Sequence, residues 1–199
     1  MSDIICVTDR KTCCEDFLTR IERIAELNPK AIVLRAKELT CGEYKALAEK
    51  VTEICGKYGT ECILHNFADT ALELAHPKIH LPLPVLREMS EEDKTKFRII
   101  GSSCHSPEEA VEAESLGAAY ITAGHVFATD CKKGLPPRGL DFLKAVCESV
   151  DIPVYAIGGI SAENIDDVRK AGAAGGCIMS GLMSCPKEKL RVQIAEIRK

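Results

Sequence analysis

"IPVYAIGGISAENIDDVRKAGAAGGCIMSGLM", residues 152–183, decides the fold. Two short apolar runs, 152–156 and 175–179, flank a segment with Ile165, Val168 and Ala171 at helical spacing. Ser161 offers a cap for that helix and Gly172 a stop at its end. A strand, a helix and another buried strand in this order need a crossover, which makes the two strands parallel.

The same unit recurs towards the N-terminus. Strand candidates at 4–8, 31–35, 61–65, 78–81, 98–102 and 119–123 bring the total to eight. Most are almost continuously apolar, the pattern of strands covered on both faces. Helical patterns fill the intervals. Residues 40–57 place Tyr44, Leu47, Ala48, Val51, Ile54 and Cys55 on one face behind a capping box of Thr40 and Glu43. Ser106-Pro107-Glu108-Glu109 repeats the device, and Pro186 starts the last helix. Eight strand–helix units in 199 residues predict an α/β chain folded as a small, single-domain (β/α)8 TIM barrel over residues 1–199. The competitor, an open doubly wound sheet, normally has about five or six strands and a dinucleotide fingerprint after the first, which this chain lacks.

Composition narrows the function classes. With 46% hydrophobic and 28% charged residues the chain has the balance of a globular protein. Its net charge of −4 supplies no field to attract nucleic acid, so an anionic small ligand has to be held by local cations and backbone amides. No segment approaches the roughly 18 apolar residues of a membrane span. The start, MSDIICVTDR, lacks the basic-then-apolar order of a secretion signal, and the expected compartment is the cytoplasm. Eleven cysteines occur without a Cys-x-x-Cys pair, several of them inside apolar runs (Cys6, Cys62, Cys177), and they read as reduced thiols.

In a barrel the chemistry sits where strands end and the following loops begin. That rule selects Thr8–Arg10, Arg35–Lys37, Asn66, His80–Pro82, Ser103–His105, Gly124–Lys133, Gly158–Gly159 and Ser180–Gly181. Gly158, Gly159, Ser180 and Gly181, with a short helix after Ser180, suit a phosphate held by backbone amides. The other reading of the two glycines is a tight strand-to-helix turn. The stretch "GHVFATDCKKGLPPRG", residues 124–139, carries His125, Thr129, Cys131, Lys132, Lys133 and Arg138 in one loop rich in Gly and Pro. Such a loop joins a proton carrier to cations for an anionic ligand and suits a lid.

These motifs, with "VTDR", "LRAK", "LHNFADTAL" and "IGSSCHSPEEA", stand in the order seen in thiamine phosphate synthases and their TenI-like relatives. The chain resembles that superfamily from about Ile4 to Met183. The resemblance implies one of two activities. The synthase branch joins a pyrimidine diphosphate to a thiazole phosphate with magnesium, using aspartates after the third and fourth strands to hold the metal. Here those places read Asn66-Phe67 and His80-Leu81-Pro82-Leu83-Pro84-Val85, which lack both carboxylates. Val33 stands where the synthase has a glutamine, whereas Arg35 and Lys37 match.

The loop that starts at Gly124-His125 is similar to that of the TenI-like thiazole tautomerase. The resemblance therefore implies an isomerase of thiamine biosynthesis, without metal or other cofactor, in which His125 moves the proton that aromatises a carboxylated thiazole phosphate. Arg35, Lys37, Asn66, Ser103, His105, Thr129, Cys131 and Lys132 are its expected substrate contacts, and Gly158, Gly159, Ser180 and Gly181 its phosphate site. His105 reads equally as structural support, Cys131 as a bystander to the chemistry, and Lys132 and Lys133 as a solvated loop tip. The family also suggests a homodimer. The alternatives are the magnesium-dependent synthase and a non-catalytic thiazole phosphate binder.

Overall fold

The computed structural model describes residues 4–198; Met1, Ser2, Asp3 and Lys199, which the expected domain span includes, lie outside them. β1 (Ile4–Val7) and α1 (Phe17–Glu26) are followed by β2 (Ala31–Leu34), α2 (Cys41–Tyr58), β3 (Glu61–His65), α3 (Ala68–Glu73) and β4 (Lys78–Pro82). Two short helices, α4 (Leu83–Glu88) and α5 (Glu91–Thr95), lead to β5 (Ile99–Cys104), α6 (Pro107–Ser115) and β6 (Tyr120–Gly124). Then come α7 (Gly139–Ser149), β7 (Val154–Ile157), α8 (Ile165–Lys170), β8 (Gly175–Ile178), α9 (Ser180–Met183) and α10 (Lys187–Ile197). The strands form one closed parallel sheet in the order β1 to β8, so the fold is the expected (β/α)8 barrel.

Two compact units make up the described chain: residues 4–79 with 178–198, and residues 80–177. In the first, β2 pairs with both β1 and β3, Ile32 lying opposite Cys6 and Cys62. β1 and β2 are buried at every residue, which is why they read as unbroken apolar runs. α2 buries Tyr44, Ala48, Val51 and Cys55, while Leu47 and Ile54 lie at the edge of that face. Its capping box is complete: the Thr40 amide donates to Glu43 Oε2 (2.9 Å), and the Glu43 amide donates to Thr40 Oγ1 (3.4 Å).

In the second unit β6 pairs with β5 and β7, and β7 with β8. β7 begins at Val154 rather than Ile152, because Pro153 has no N–H to give to a ladder. Ser106 caps α6 through the Glu109 amide (3.1 Å), but the Glu109 carboxylate accepts from the amide of His105 instead of Ser106 (2.6 Å). The expected cap at Ser161 is displaced. Asn164 Oδ1 accepts from the Ser161 amide (2.9 Å), a turn fills 162–164, and α8 starts only at Ile165.

Candidate active site

Each predicted site residue lies at the C-terminal end of a strand or in the segment that follows it. In the first unit the end of β2 is fixed by Thr8, whose buried hydroxyl accepts from the Arg35 amide (2.9 Å) and donates to the Arg35 carbonyl (3.0 Å). The half-buried Arg35 guanidinium points towards Asp9 Oδ1 at 3.8 Å. Lys37 is exposed one residue beyond the buried Ala36. Two cations thus leave the same strand end, where an anion could compete with Asp9 for Arg35.

β3 ends at His65, and the φ of 70° at Asn66 turns the chain sharply towards α3. A tyrosine that sequence reasoning placed only in the core holds this corner. Tyr44 Oη donates to the Leu34 carbonyl (2.7 Å) and accepts from the His65 amide (2.8 Å), tying β2 to β3. The Phe67 ring stacks on Tyr44, with centroids 4.0 Å apart and planes inclined by 19°. The position that carries a metal-binding aspartate in the synthase pattern is therefore filled by an aromatic stack.

Ser180 and Gly181 begin α9, as expected of a short helix after β8. Ser180 is half-buried, and its carbonyl accepts from both the amide and the hydroxyl of Ser184, each at 2.8 Å. Gly181 packs closely enough against α10 that a Cβ there would lie 3.0 Å from Gln193 Nε2.

The second unit brings several predicted residues together. His105 Nδ1 lies 3.0 Å from the Gly124 carbonyl, which can only accept, so His105 donates and holds the peptide that leads into His125. The Gly124–His125 peptide is cis. His125 is half-buried, and its Nε2 donates to the Leu135 carbonyl at 3.4 Å, across the loop. The loop is closed at its base by amides of Arg138 and Gly139 donating to the carbonyls of His125 and Val126, each at 3.0 Å. At its exposed end Asp130–Lys132 form one 3-10 turn, capped by Thr129 through the Cys131 amide (3.4 Å). Cys131, Lys132 and Lys133 are exposed there. Arg138 is drawn away from the loop tip and lies over the Phe142 ring at 5.2 Å.

Gly158 and Gly159 do more than turn the chain. Both have positive φ (96° and 68°), and an added Cβ would meet His125 Cβ at 2.4 Å and the Ala128 carbonyl at 2.6 Å. The two glycines make room for the base of the loop, whose Val126 and Phe127 amides donate to the carbonyls of Ile157 and Gly158.

Sequence reasoning missed a buried polar chain. His80 Nδ1 meets Tyr120 Oη at 2.9 Å, and His80 Nε2 meets Ser103 Oγ at 2.8 Å. Thr122 donates to the same Ser103 oxygen at 3.2 Å. Burial pushes the Tyr120 phenol far above its ordinary pKa, so it stays a neutral donor. Gly101 leaves the space that the Tyr120 ring takes. Sequence reasoning selects His80 and Ser103 as strand ends, but their partnership with Tyr120 and Thr122, which lie inside otherwise apolar strands, leaves no local signal.

No helix among the described residues is long and apolar enough to cross a membrane. Residues 4–182 match the family model described as thiamine monophosphate synthase. Thiamine-phosphate synthase 2 of Streptococcus pneumoniae serotype 4 is 33% identical over 193 residues, covering 94% of this chain and 90% of its own. The thiamine-phosphate synthase of Clostridium acetobutylicum is 35% identical, with 97% and 93% covered. A solved structure, thiamine phosphate pyrophosphorylase from Pyrococcus furiosus, superposes with a TM-score of 0.83 at 31% identity, covering 98% of this chain and 93% of that one. These relatives overturn the expected isomerase. The first two are named as synthases, which are transferases, and match along nearly their whole length, whereas the tautomerase reading rested on a single loop and two missing carboxylates. The carboxylated thiazole was required only by that isomerisation and goes with it.

Proposed function

The chain belongs to the thiamine monophosphate synthase family, and on that premise we propose that it joins hydroxymethylpyrimidine diphosphate to thiazole phosphate, forming thiamine phosphate in the cytoplasm. The observation that carries this reading is the near full-length similarity to synthases at 33% and 35% identity. In the transfer the thiazole nitrogen lone pair forms a bond to the pyrimidine methylene carbon while the carbon–oxygen bond to diphosphate breaks. The ring becomes a cation and diphosphate leaves with the bonding pair.

That transfer requires no proton movement. What it asks of the chain is charge for a departing polyanion and a fixed approach for the nucleophile. In the first unit, Arg35 and Lys37 beyond β2 are the cations of this reading. In the second unit, backbone amides at Gly158–Gly159 after β7 take the thiazole phosphate, as loops after late strands do in many barrels. Asn66, Ser103, Thr129 and Cys131 remain candidate contacts for the two rings. His125 and His105 become positioning residues: His105 holds the Gly124 carbonyl and His125 holds Leu135.

The family implies magnesium, and the residues here do not fit it. Phe67 is committed to a stack with Tyr44, and Val85 has no donor atom. No step is assigned to the metal.

Complementation tests the reading. In a bacterial strain lacking its own synthase, the expressed chain should restore growth without thiamine when the pyrimidine and thiazole alcohols are supplied. Intact, abundant protein with no growth would count against the transferase.

A further inference from the structure

The buried Arg20 of α1 has no part in the proposed transfer, yet it organises two cysteines. Its Nε pairs with Glu15 Oε1 at 2.9 Å. The other two nitrogens face sulfur: Nη2 donates to Cys14 Sγ at 2.7 Å, and Nη1 lies 3.8 Å from Cys185 Sγ. Nη2 also donates to the Cys185 carbonyl at 2.8 Å, and Nη1 to the Leu182 carbonyl at 3.5 Å. Backbone contacts lock the two segments side by side. The Cys14 amide donates to the Met183 carbonyl (3.2 Å), and the Cys14 thiol reaches the Cys185 carbonyl (3.4 Å). Cys14 is exposed and Cys185 half-exposed. Residues 171 positions apart in sequence thus hold two accessible thiols in one guanidinium fork.

We propose that Cys14 and Cys185 form a redox-modifiable thiol pair that reacts with low-molecular-weight disulfides. Arg20 Nη2, donating to Cys14 Sγ at 2.7 Å, is placed to stabilise charge on that sulfur as it exchanges. Cys14 attacks one sulfur of the small disulfide, and a mixed disulfide forms as one thiolate leaves. Burial raises the Cys185 thiol above its ordinary pKa, against the lowering effect of Arg20, so it waits as the protonated resolving partner. It then attacks Cys14 Sγ, its proton passing to the small thiolate released first. The second small thiolate departs and takes a proton from water to complete the second thiol. In all, two protein thiols are oxidised to one disulfide and one small disulfide is reduced to two thiols.

Buried cysteines are poor competitors: burial, the largest cause, pushes the Cys6 thiol up to about 12. Cys131 is the exposed comparison, in a loop turn without a guanidinium on its sulfur.

The test treats the full chain with oxidised glutathione, blocks remaining thiols by alkylation and maps them by peptide mass spectrometry. A Cys14–Cys185 crosslink is expected as the dominant product, with C185S accumulating glutathione on Cys14 and C14S leaving Cys185 unmodified. Alkylation of the untreated protein near neutral pH should reach Cys14 about tenfold faster than Cys131. A stable glutathione adduct on Cys14 of the unsubstituted chain, without a crosslink, would overturn the pair. So would equal reactivity of Cys14 and Cys131, a measurement that needs no variant to fold.

Discussion

Tyr44→Ala is expected to lower unfolding stability by roughly 5 kcal/mol, the largest effect of any single change discussed here. The side chain is fully buried on α2, its hydroxyl bridges the Leu34 carbonyl and the His65 amide, and its ring supports Phe67. Deleting it removes an aromatic ring from the core and the bridge between β2 and β3 together. Tyr44→Phe keeps the ring and loses the bridge, so it should cost about 1–3 kcal/mol. Urea denaturation of both variants checks this. If Tyr44→Ala and Tyr44→Phe cost the same, the ring would not be supporting the corner at Asn66.

Gly158→Ala carries the second large effect. One methyl group would stand 2.4 Å from His125 Cβ, on a residue whose φ is +96°. Left-handed strain and overpacking together should cost about 2–4 kcal/mol, or force the base of the loop away from β7. A variant that kept full stability while its loop moved would show faster proteolysis between Lys132 and Arg138, which lie in the exposed part of the loop. A variant unchanged in both stability and proteolysis would contradict the close packing of the loop on Gly158.

The fold was legible because burial on both faces writes itself as nearly continuous apolar runs in most of the eight strands. Thr40, Ser106 and Pro186 also marked helix starts correctly, since caps act over three or four residues and leave a local signature. Ser161 misled because Asn164 takes its amide and delays α8. Partnerships between distant strands leave no such signature. Nothing local tells that His80 meets Tyr120 and Ser103, or that Arg20, on a helix with a charged face, buries its guanidinium between Cys14 and Cys185.

The site was legible as a set of strand ends and less so as a chemistry. Gly158 and Gly159 read as a phosphate site or a tight turn, and in the folded chain they give room to His125 and Phe127. His125 suggested proton transfer because an imidazole titrates near neutrality. In the folded chain its Nε2 donates to Leu135 and its backbone closes the loop. A residue type names what a side chain is able to do, while its neighbours and the relatives along the whole chain decide between reactions.

The central claim is the joining of two halves, and phosphorus NMR of the purified chain with hydroxymethylpyrimidine diphosphate and thiazole phosphate, in buffer containing magnesium, tests it most directly. Thiamine phosphate and free diphosphate are predicted to appear together in equal amounts as the diphosphate ester disappears. Unchanged substrates at protein concentrations comparable to theirs would contradict it.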